Sequence, residues 1–386
     1  MTQAAVRVAM VAGEASGDLL GAHLIGALVE RRPELRFAGI GGPGMQAAGF
    51  ESHYPMEKLA VRGYAEALRH YREIMAIRRQ LAERVLVEPP ELFIGVDAPD
   101  FNLGLERRLR RAGVPTVHYV SPSIWAWRGG RIRRIGRAVT HMLVLFPFEQ
   151  ALYEKAGIPV TYVGHPLADL IPIEIDKPEA RAQLRLPSGK RIVALLPGSR
   201  ESELQYMADL FVKTAHRFIQ EVGDVHFVCP TPTRRTRELF EEALHANRAQ
   251  ELPLTMLFGH SHEALAAADV ALVASGTATL EAALFKTPMV ITYRMSPLTW
   301  TLMRRMLYLP HVGLPNVLAG EALVPELIQE KATPWALSAA LLELMQDPAR
   351  RERQIEKFHE IHLTLRQDTA SKAAEAVLRV LDGSGG

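Results

Sequence analysis

The stretch RIVALLPGSRESEL, residues 191–204, decides how the second half of the chain folds. An apolar run rich in strand-forming residues ends at a Pro-Gly-Ser turn, and the residues after that turn have helical spacing. A buried strand that passes through a short turn into a helix is the repeating unit of a parallel sheet covered by helices. Because a Pro-containing linker precedes the stretch, we expect it to start a second sheet.

The same unit recurs along the whole chain. Predicted strands of the first half lie at residues 6–13, 35–41, 91–97, 115–122, 141–147 and 160–166. Those of the second half lie at residues 191–199, 225–230, 254–259, 269–275 and 288–294. The predicted fold class is therefore α/β, with two Rossmann-like doubly wound parallel sheets at residues 1–165 and 166–350 and C-terminal helices at 351–386 that return to the first domain. Ligands of such sheets bind beside the carboxyl ends of the strands, so we expect one cleft faced by both domains.

Composition excludes several classes of protein. The 386 residues are 48% hydrophobic and 23% charged, which suits a large buried core, and the net charge of +2 argues against a polycationic nucleic-acid binder. Cys229 is the single cysteine, so no internal disulfide is expected. No window has the roughly eighteen uninterrupted apolar residues of a membrane span, and the N-terminal apolar run is too short for a signal peptide. Any membrane contact is therefore predicted to be peripheral.

Two strand ends in the second half predict binding of a nucleotide diphosphate. Arg200 and the Ser199 turn lie at a predicted helix start, where backbone amides and a guanidinium attract anions, although Ser199 and Glu203 also fit ordinary helix capping. A second such turn opens a helix that carries Glu281, whose carboxylate is placed to accept from ribose hydroxyls. That turn consists of Ser275, Gly276 and Thr277. Neither turn is a P-loop or a dinucleotide fingerprint.

The first half carries candidate acid–base residues at its strand ends. Asp97 directly ends a predicted strand, where a general base belongs, and Asp100 is expected to cap a helix that starts near residue 102. His118 is either a partner that orients Asp97 or a buried structural histidine. Glu14 and Ser16 lie in the turn after the first strand. The spacing of histidines and the single cysteine matches no zinc site, and no metal is predicted.

A basic and aromatic segment, SPSIWAWRGGRIRRIGR at residues 121–137, predicts contact with an anionic partner. Arg128 or Arg131 is a candidate for the phosphate of a substrate, while the alternative is that the arginines are the solvated face of a helix. The segment at residues 61–81 places Leu68, Tyr71 and Met75 at helical spacing among arginines, which is typical of an interfacial amphipathic helix. Docking on an anionic membrane is therefore predicted, with core packing as the alternative. Nucleic acid is not a predicted partner.

Nine motifs occur in the same order as in a known family, and the chain resembles lipid-A-disaccharide synthases from about residue 6 to residue 330. The motifs are VAGEASGDLLGAHL (11–24), GIGGPGM (39–45), GVDAPDFN (95–102), HYVSPSIWAWR (118–128), LFPFE (145–149), YVGHPLAD (162–169), LLPGSRESE (195–203), ASGTATLEAAL (274–284) and LPNVLAGEALVPELIQ (314–329).

The resemblance implies a metal-independent inverting glycosyltransferase of the GT-B type without a cofactor, peripheral on the cytoplasmic face of the bacterial inner membrane. It implies that UDP-2,3-diacylglucosamine and 2,3-diacylglucosamine 1-phosphate are joined through a β-1,6 bond, with release of UDP. Asp97 then corresponds to the proposed base, whereas Arg200, the turn at 275–277 and Glu281 belong to the UDP side. Asn316 is a further family position. The residues expected on the acceptor side are Glu14, Ser16, His118, Arg128 and Asn316.

Two other classes remain open from the residues alone. A UDP-sugar 2-epimerase of related architecture would bind UDP similarly but needs no surface for acyl chains. A nonenzymatic peripheral lipid-binding protein would keep the basic and aromatic segment without needing the three residues Asp97, Arg200 and Glu281 together. The sequence does not fix the oligomeric state and leaves a homodimer open.

Overall fold

The computed structural model describes residues 6–59, 64–124, 129–303 and 311–383. The chain divides into two compact units, the first formed by Met1–Asp169 with Leu365–Gly386 and the second by Leu170–Thr364. Each unit is built on one parallel sheet. The predicted fold class, two doubly wound parallel α/β domains, is confirmed.

The strands of the first unit are β1 (Val6–Ala12), β2 (Leu35–Ile40), β3 (Phe50–Tyr54), β4 (Leu92–Val96), β5 (Thr116–Tyr119), β6 (His141–Val144) and β7 (Val160–Tyr162). Its helices before the second unit are α1 (Ala15–Arg31), α2 (Pro43–Ala47), α3 (Tyr64–Val87), α4 (Pro99–Arg111), α5 (Ile132–Gly136), α6 (Pro147–Lys155) and α7 (Pro166–Leu170). The sheet order is β3-β2-β1-β4-β5-β6-β7, and all described pairs are parallel.

Strand β1 shows why this sheet is covered on both faces. Val8, Met10 and Ala12 pack into one apolar cluster with helix α1, while Ala9 and Val11 pack into another with α3 and α4. Side chains alternate across a strand, so a run that is apolar at every position must be buried on two sides. The continuous apolar run in the sequence is therefore the signal of a central strand.

The second unit repeats this plan with strands β8 (Arg191–Leu196), β9 (Val225–Thr231), β10 (Leu254–Phe258), β11 (Val270–Ala274), β12 (Met289–Tyr293) and β13 (Glu326–Ile328). Its helices are α8 (Lys177–Gln183), α9 (Glu201–Val222), α10 (Arg234–Ala246), α11 (Ser261–Ala267), α12 (Thr277–Leu284), α13 (Pro297–Met303), α14 (Leu314–Ala319), α15 (Pro334–Gln346) and α16 (Pro348–Leu365). The sheet order is β10-β9-β8-β11-β12-β13, again parallel throughout the described pairs.

The C-terminal segment does not divide where the sequence predicts. Helix α16 belongs to the second unit because Gln354 is fully buried there, accepting from the amide of Met289 and donating to the carbonyl of Leu323. Only residues 365–386 join the first unit, in which helix α17 (Thr369–Leu381) packs on α1. The boundaries at 165/166 and 350/351 are thus replaced by 169/170 and 364/365.

One carboxylate holds the start of helix α17, in addition to the packing of that helix on α1. Asp169 accepts from the backbone amides of Gln367, Asp368 and Thr369, at 2.7 to 3.0 Å, and so satisfies amides at the start of the helix. The amide of His165 donates to the carbonyl of Leu365 at 2.9 Å.

Within the part of the chain that the structure describes, no helix is both long and apolar enough to cross a lipid bilayer.

Candidate active site

The sheet order of each unit has a point at which the chain turns from one side to the other. In the first unit this switch point lies between β1 and β4, which are paired up to Ala12 and Val96. In the second unit it lies between β8 and β11, which are paired up to Leu196 and Val273. Open parallel sheets bind ligands just beyond the strand ends at such points. Predicted site residues directly follow each of these four strands, with Glu14, Ser16 and Asp97 in one unit and Ser199, Arg200 and residues 275–277 in the other.

Asp97 begins a strained connection from β4 to α4. Asp97 and Ala98 have φ values of +50° and +43°, in the left-handed region that residues other than glycine rarely occupy. Helix α4 starts at Pro99, so the prediction that Asp100 caps a helix near residue 102 is wrong; Asp100 lies in the first turn. Asp100 is largely exposed and pairs with Arg131. Strain of this kind accumulates at functional sites, which supports Asp97 as a candidate.

His118 forms a buried pair with Glu106. Its Nδ1 is 2.7 Å from Oε1 of Glu106, and both side chains are fully buried. Burial raises the pKa of Glu106, and the nearby His118 partly opposes that shift. His118 is thus a buried histidine, as its structural alternative predicts, and its assignment to the acceptor side stays a prediction.

Glu14 and Ser16 are exposed at the start of α1. Glu14 is the N-cap residue but makes no side-chain capping bond, so its carboxylate is available at the strand end. The nearby Asp18 has a structural task instead, because its carboxylate accepts from the amides of Gly42, Gly44 and Met45 at 2.8 to 3.0 Å. Asp18 thereby holds the glycine-rich loop after β2.

The turn after β8 is partly closed to an anion. Oε2 of Glu203 accepts from the amides of Ser199 and Arg200 at 3.0 and 3.2 Å, so Glu203 caps the helix as the alternative predicts, but the N-cap residue is Arg200 and not Ser199. The Arg200 guanidinium lies 3.6 Å from Glu203 and is 73% exposed. Arg200 and the Ser199 hydroxyl, rather than the amides of this turn, are thus the groups that remain for a diphosphate.

The turn after β11 has an uncapped helix start. Gly276 precedes α12 with φ of +151°, a conformation that favours glycine, and no side chain caps the helix. Gly276 and Thr277 are exposed, and Ser275 is half-buried with its amide bonded to Thr292. Free amides at a helix N-terminus attract phosphate. This turn is the better anion site of the two.

Glu281 lies one turn into α12 and is mostly buried. Burial raises the pKa of its carboxyl, and His262, whose Nε2 is 3.7 Å from Oε2, opposes that shift. The His262 ring in turn packs on Phe285, with ring centroids 5.1 Å apart. His262 was not predicted from the sequence, because nothing local to the start of α11 marks it as a neighbour of α12. A desolvated carboxylate beside a phosphate-type helix start is typical of a binding site.

We expect the affinity for uridine to fall on acidification, because protonated Glu281 loses an acceptor for ribose hydroxyls. Since the pKa of Glu281 is raised, this loss begins at a higher pH than an ordinary glutamate would give. Uridine is the ligand of choice because it has no phosphate that titrates in this range. Calorimetry at several pH values checks the result.

Two variants control this prediction. Glu281→Gln is expected to bind uridine about tenfold more weakly, with little dependence on pH between 4 and 7. His262→Gln removes the ring that opposes the raised pKa of Glu281, so it should move the midpoint to higher pH. A Glu281→Gln variant with the pH dependence of the parent would contradict the assignment.

Asn316 is buried at the start of α14 with partners at both ends of its amide. Its Nδ2 donates to the carbonyl of Val324 and to Oε1 of Glu326, and its Oδ1 accepts from the amide of Val324, all within 2.8 Å. Glu326 also accepts from the amides of Val312 and Gly313. Asn316 therefore shapes this loop, and its predicted contact with the acceptor stays a prediction.

Arg128 and both tryptophans of the segment 121–137 lie outside the described residues. Beyond them, Ile135 is buried and Arg133 and Arg134 are exposed on α5, as the solvated-helix alternative predicts. Among the residues described, no group of three or more His, Cys, Asp or Glu side chains is arranged to hold a metal ion.

A sequence model of one family, lipid-A-disaccharide synthetase, matches residues 8–380 of the chain. The chain belongs to the lipid-A-disaccharide synthase family. Two relatives with that name are similar over nearly the whole length. That of Dechloromonas aromatica (strain RCB) is 59% identical over 98% of this chain and 99% of its own, and that of Azoarcus sp. (strain BH72) is 57% identical over 98% and 97%.

Solved structures outside the lipid-A-disaccharide synthase family share the fold. The S. aureus MnaA–UDP structure has a TM-score of 0.65 at 14% identity, covering 98% of this chain and 97% of that chain. The UDP-GlcNAc 2-epimerase of Neisseria meningitidis, bound to UDP-GlcNAc, has a TM-score of 0.65 at 12% identity and covers 98% and 100%. These identities show the fold alone. Membership in the lipid-A-disaccharide synthase family supports the glycosyltransferase interpretation and disfavours the epimerase alternative.

Proposed function

We propose that the protein joins UDP-2,3-diacylglucosamine to 2,3-diacylglucosamine 1-phosphate, giving the β-1,6-linked disaccharide 1-phosphate and UDP. Family membership over residues 8–380 is the observation that carries this proposal. The second unit has the features that a UDP leaving group needs, an uncapped helix start and a desolvated Glu281. The first unit has a carboxylate, Asp97, at its switch point.

Inversion by a single displacement requires a base and a stabilised leaving group. In this proposal Asp97 accepts the proton of the acceptor's 6-hydroxyl while that oxygen attacks the anomeric carbon and the bond to UDP breaks. Arg200 and the amides at the start of α12 stabilise the negative charge that grows on the diphosphate. Glu281 holds the ribose, and Glu14 and Ser16 are assigned to the acceptor side. The first unit thus serves as the acceptor-binding domain and the second as the UDP-sugar-binding domain.

The activity is tested by incubating the protein with both diacylated sugars and measuring UDP and disaccharide together. We expect equal amounts of the two products, and neither product when the acceptor is omitted. The same preparation is incubated with UDP-GlcNAc alone, where an epimerase would produce the C2 epimer. UDP release without disaccharide, or epimer formation, would contradict the proposal.

The first unit is also proposed to dock on an anionic membrane at the cytoplasmic side. Two neighbouring helices of this unit, α4 and α5, carry exposed arginines, and Arg110 at the end of α4 donates to the carbonyl of Gly136 at the end of α5. Helix α3 is packed into the core through Ile77 and Leu81 in its second half, so the core alternative holds for that half. Leu68 and Tyr71 fall in the part of α3 whose side chains are not described.

We expect the double variant Arg133→Gln, Arg134→Gln to bind anionic vesicles roughly 30-fold more weakly, since each basic residue near such a surface contributes about fivefold. Vesicle sedimentation at several salt concentrations measures the effect, and binding of the parent should fall steeply with salt. Arg234→Gln, Arg235→Gln is the matched control, because these arginines are on α10 of the second unit and pair with glutamates. Equal binding of parent and both variants would refute membrane docking through α5.

A further inference from the structure

Asp97 and Ala98 form the connection from β4 to α4, the Asp97 turn, and its backbone conformation must be stabilised by other residues. Two consecutive residues with side chains occupy the left-handed region, and neither is glycine. Such a conformation is unfavourable for an L-residue and persists only where surrounding contacts hold it. The direction of the Asp97 side chain depends on this conformation, because the turn sets the direction of the Cα–Cβ bond.

Asn102 supplies these contacts from the second turn of α4. Its side chain is fully buried, and Nδ2 lies 2.8 Å from the carbonyl oxygen of Asp97. The same nitrogen is 3.3 and 3.4 Å from the carbonyl oxygens of Val11 and Val96, so it joins the ends of β1 and β4. On the other side, the amide of Asp97 donates to the carbonyl of Tyr119 at 2.8 Å. Both backbone groups of Asp97 are thereby held.

The side chains around Asn102 are buried and polar, and this lowers the stability of the fold. Glu106 and His118 lie beside it, and Gly95 leaves the space, because a Cβ there would be 2.2 Å from Oε1 of Glu106 and 3.0 Å from Cβ of Asn102. Three buried atoms, Oδ1 of Asn102, Oε2 of Glu106 and Nε2 of His118, have no hydrogen-bond partner among the described residues. Unsatisfied buried polar atoms destabilise a fold, so apolar side chains at these positions would give a more stable protein. A polar cluster kept at such a cost points to a task other than stability.

We propose that Asn102 is a positioning residue that holds the Asp97 turn in its left-handed conformation and so directs the Asp97 carboxylate to the acceptor hydroxyl. The inference rests on the proposed role of Asp97. Asn102 is buried, and among the described residues its side chain donates to backbone carbonyls of the first unit, so it acts through Asp97 and not on the substrate.

The test replaces Asn102 by aspartate, which keeps the shape but loses both amide hydrogens, and by serine as a second variant in case aspartate prevents folding. We expect kcat to fall about 10- to 100-fold, the usual effect of a misplaced catalytic group, with little change in KM or in UDP affinity. Glu106→Gln is the matched control, since it changes a carboxyl of the same buried cluster and leaves the Asp97 turn untouched. A loss of kcat in Glu106→Gln equal to that in the Asn102 variants would show a general structural effect and overturn the inference.

A double-mutant cycle with Asp97→Asn separates this inference from the proposed function. If Asn102 acts through Asp97, its replacement should not lower kcat further once Asp97 is asparagine. Multiplied losses in the double variant would overturn the positioning role while the base assignment stands. An Asp97→Asn enzyme with the turnover of the parent would instead overturn the base assignment, and the inference with it.

Discussion

Replacing Asp97 by asparagine is expected to lower turnover by about two to four orders of magnitude, the range for loss of a positioned general base. The amide has nearly the shape of the carboxylate but cannot take the proton from the attacking hydroxyl. UDP affinity should stay unchanged, because the residues proposed to bind UDP belong to the second unit. Initial rates with both diacylated sugars, and calorimetry with UDP, check the two parts of this prediction.

Asp100→Asn is the matched control for Asp97→Asn. Asp100 is three residues further along the same segment, 84% exposed, and paired with Arg131, so the same chemical change there should leave turnover close to that of the parent. Normal turnover in Asp97→Asn, or a larger loss in Asp100→Asn, would show that the base is assigned to the wrong carboxylate.

Replacing Arg200 by alanine is expected to weaken UDP binding about 10- to 150-fold, because hydrogen bonds to charged groups contribute roughly 1.5 to 3 kcal/mol. Uridine affinity should change little, since uridine has no diphosphate. The guanidinium is mostly exposed and only 3.6 Å from Glu203, so it can turn toward a ligand without breaking a buried contact. Calorimetry with UDP and with uridine measures the difference.

Arg237→Ala serves as the control for Arg200→Ala. It removes the same side chain from the same unit, at a position on α10 where the guanidinium pairs with Glu241 at 2.8 Å. Its affinities for UDP and uridine should match those of the parent. Equal losses for UDP and uridine in Arg200→Ala would contradict the assignment of this arginine to the diphosphate.

Features that depend on residues adjacent in the sequence were predictable from the sequence. Central strands such as β8, apolar from Ile192 to Leu196, and β11, apolar throughout, are followed by turns of small residues, so the Ser275 to Thr277 turn was placed correctly at a helix start. Two edge strands, β3 and β13, were missed. Strand β13 has three residues and β3 has one buried residue out of five, too little pattern to distinguish either from a loop.

Features that depend on distant pairing were not predictable. Glu106 and His118 are twelve positions apart and meet only because α4 packs over β4 and β5. Glu281 and His262 come from two separate helices. The start of α4 was misplaced because a left-handed Asp97 turn without glycine has no local signal, and the contacts of Asn102 that hold it reach β1, more than ninety positions earlier.

The return of α17 to the first unit bears on the order in which the protein is made. Ala373, Val377 and Val380 are buried in the same apolar cluster as β1 and α1. The ribosome synthesises β1 and α1 early and α17 last, and it makes all of Leu170–Thr364 in between. The second unit can therefore fold while the first still exposes the apolar surface that α17 will cover. During that interval the N-terminal part of the nascent chain exposes an apolar surface. We expect chaperones to bind there.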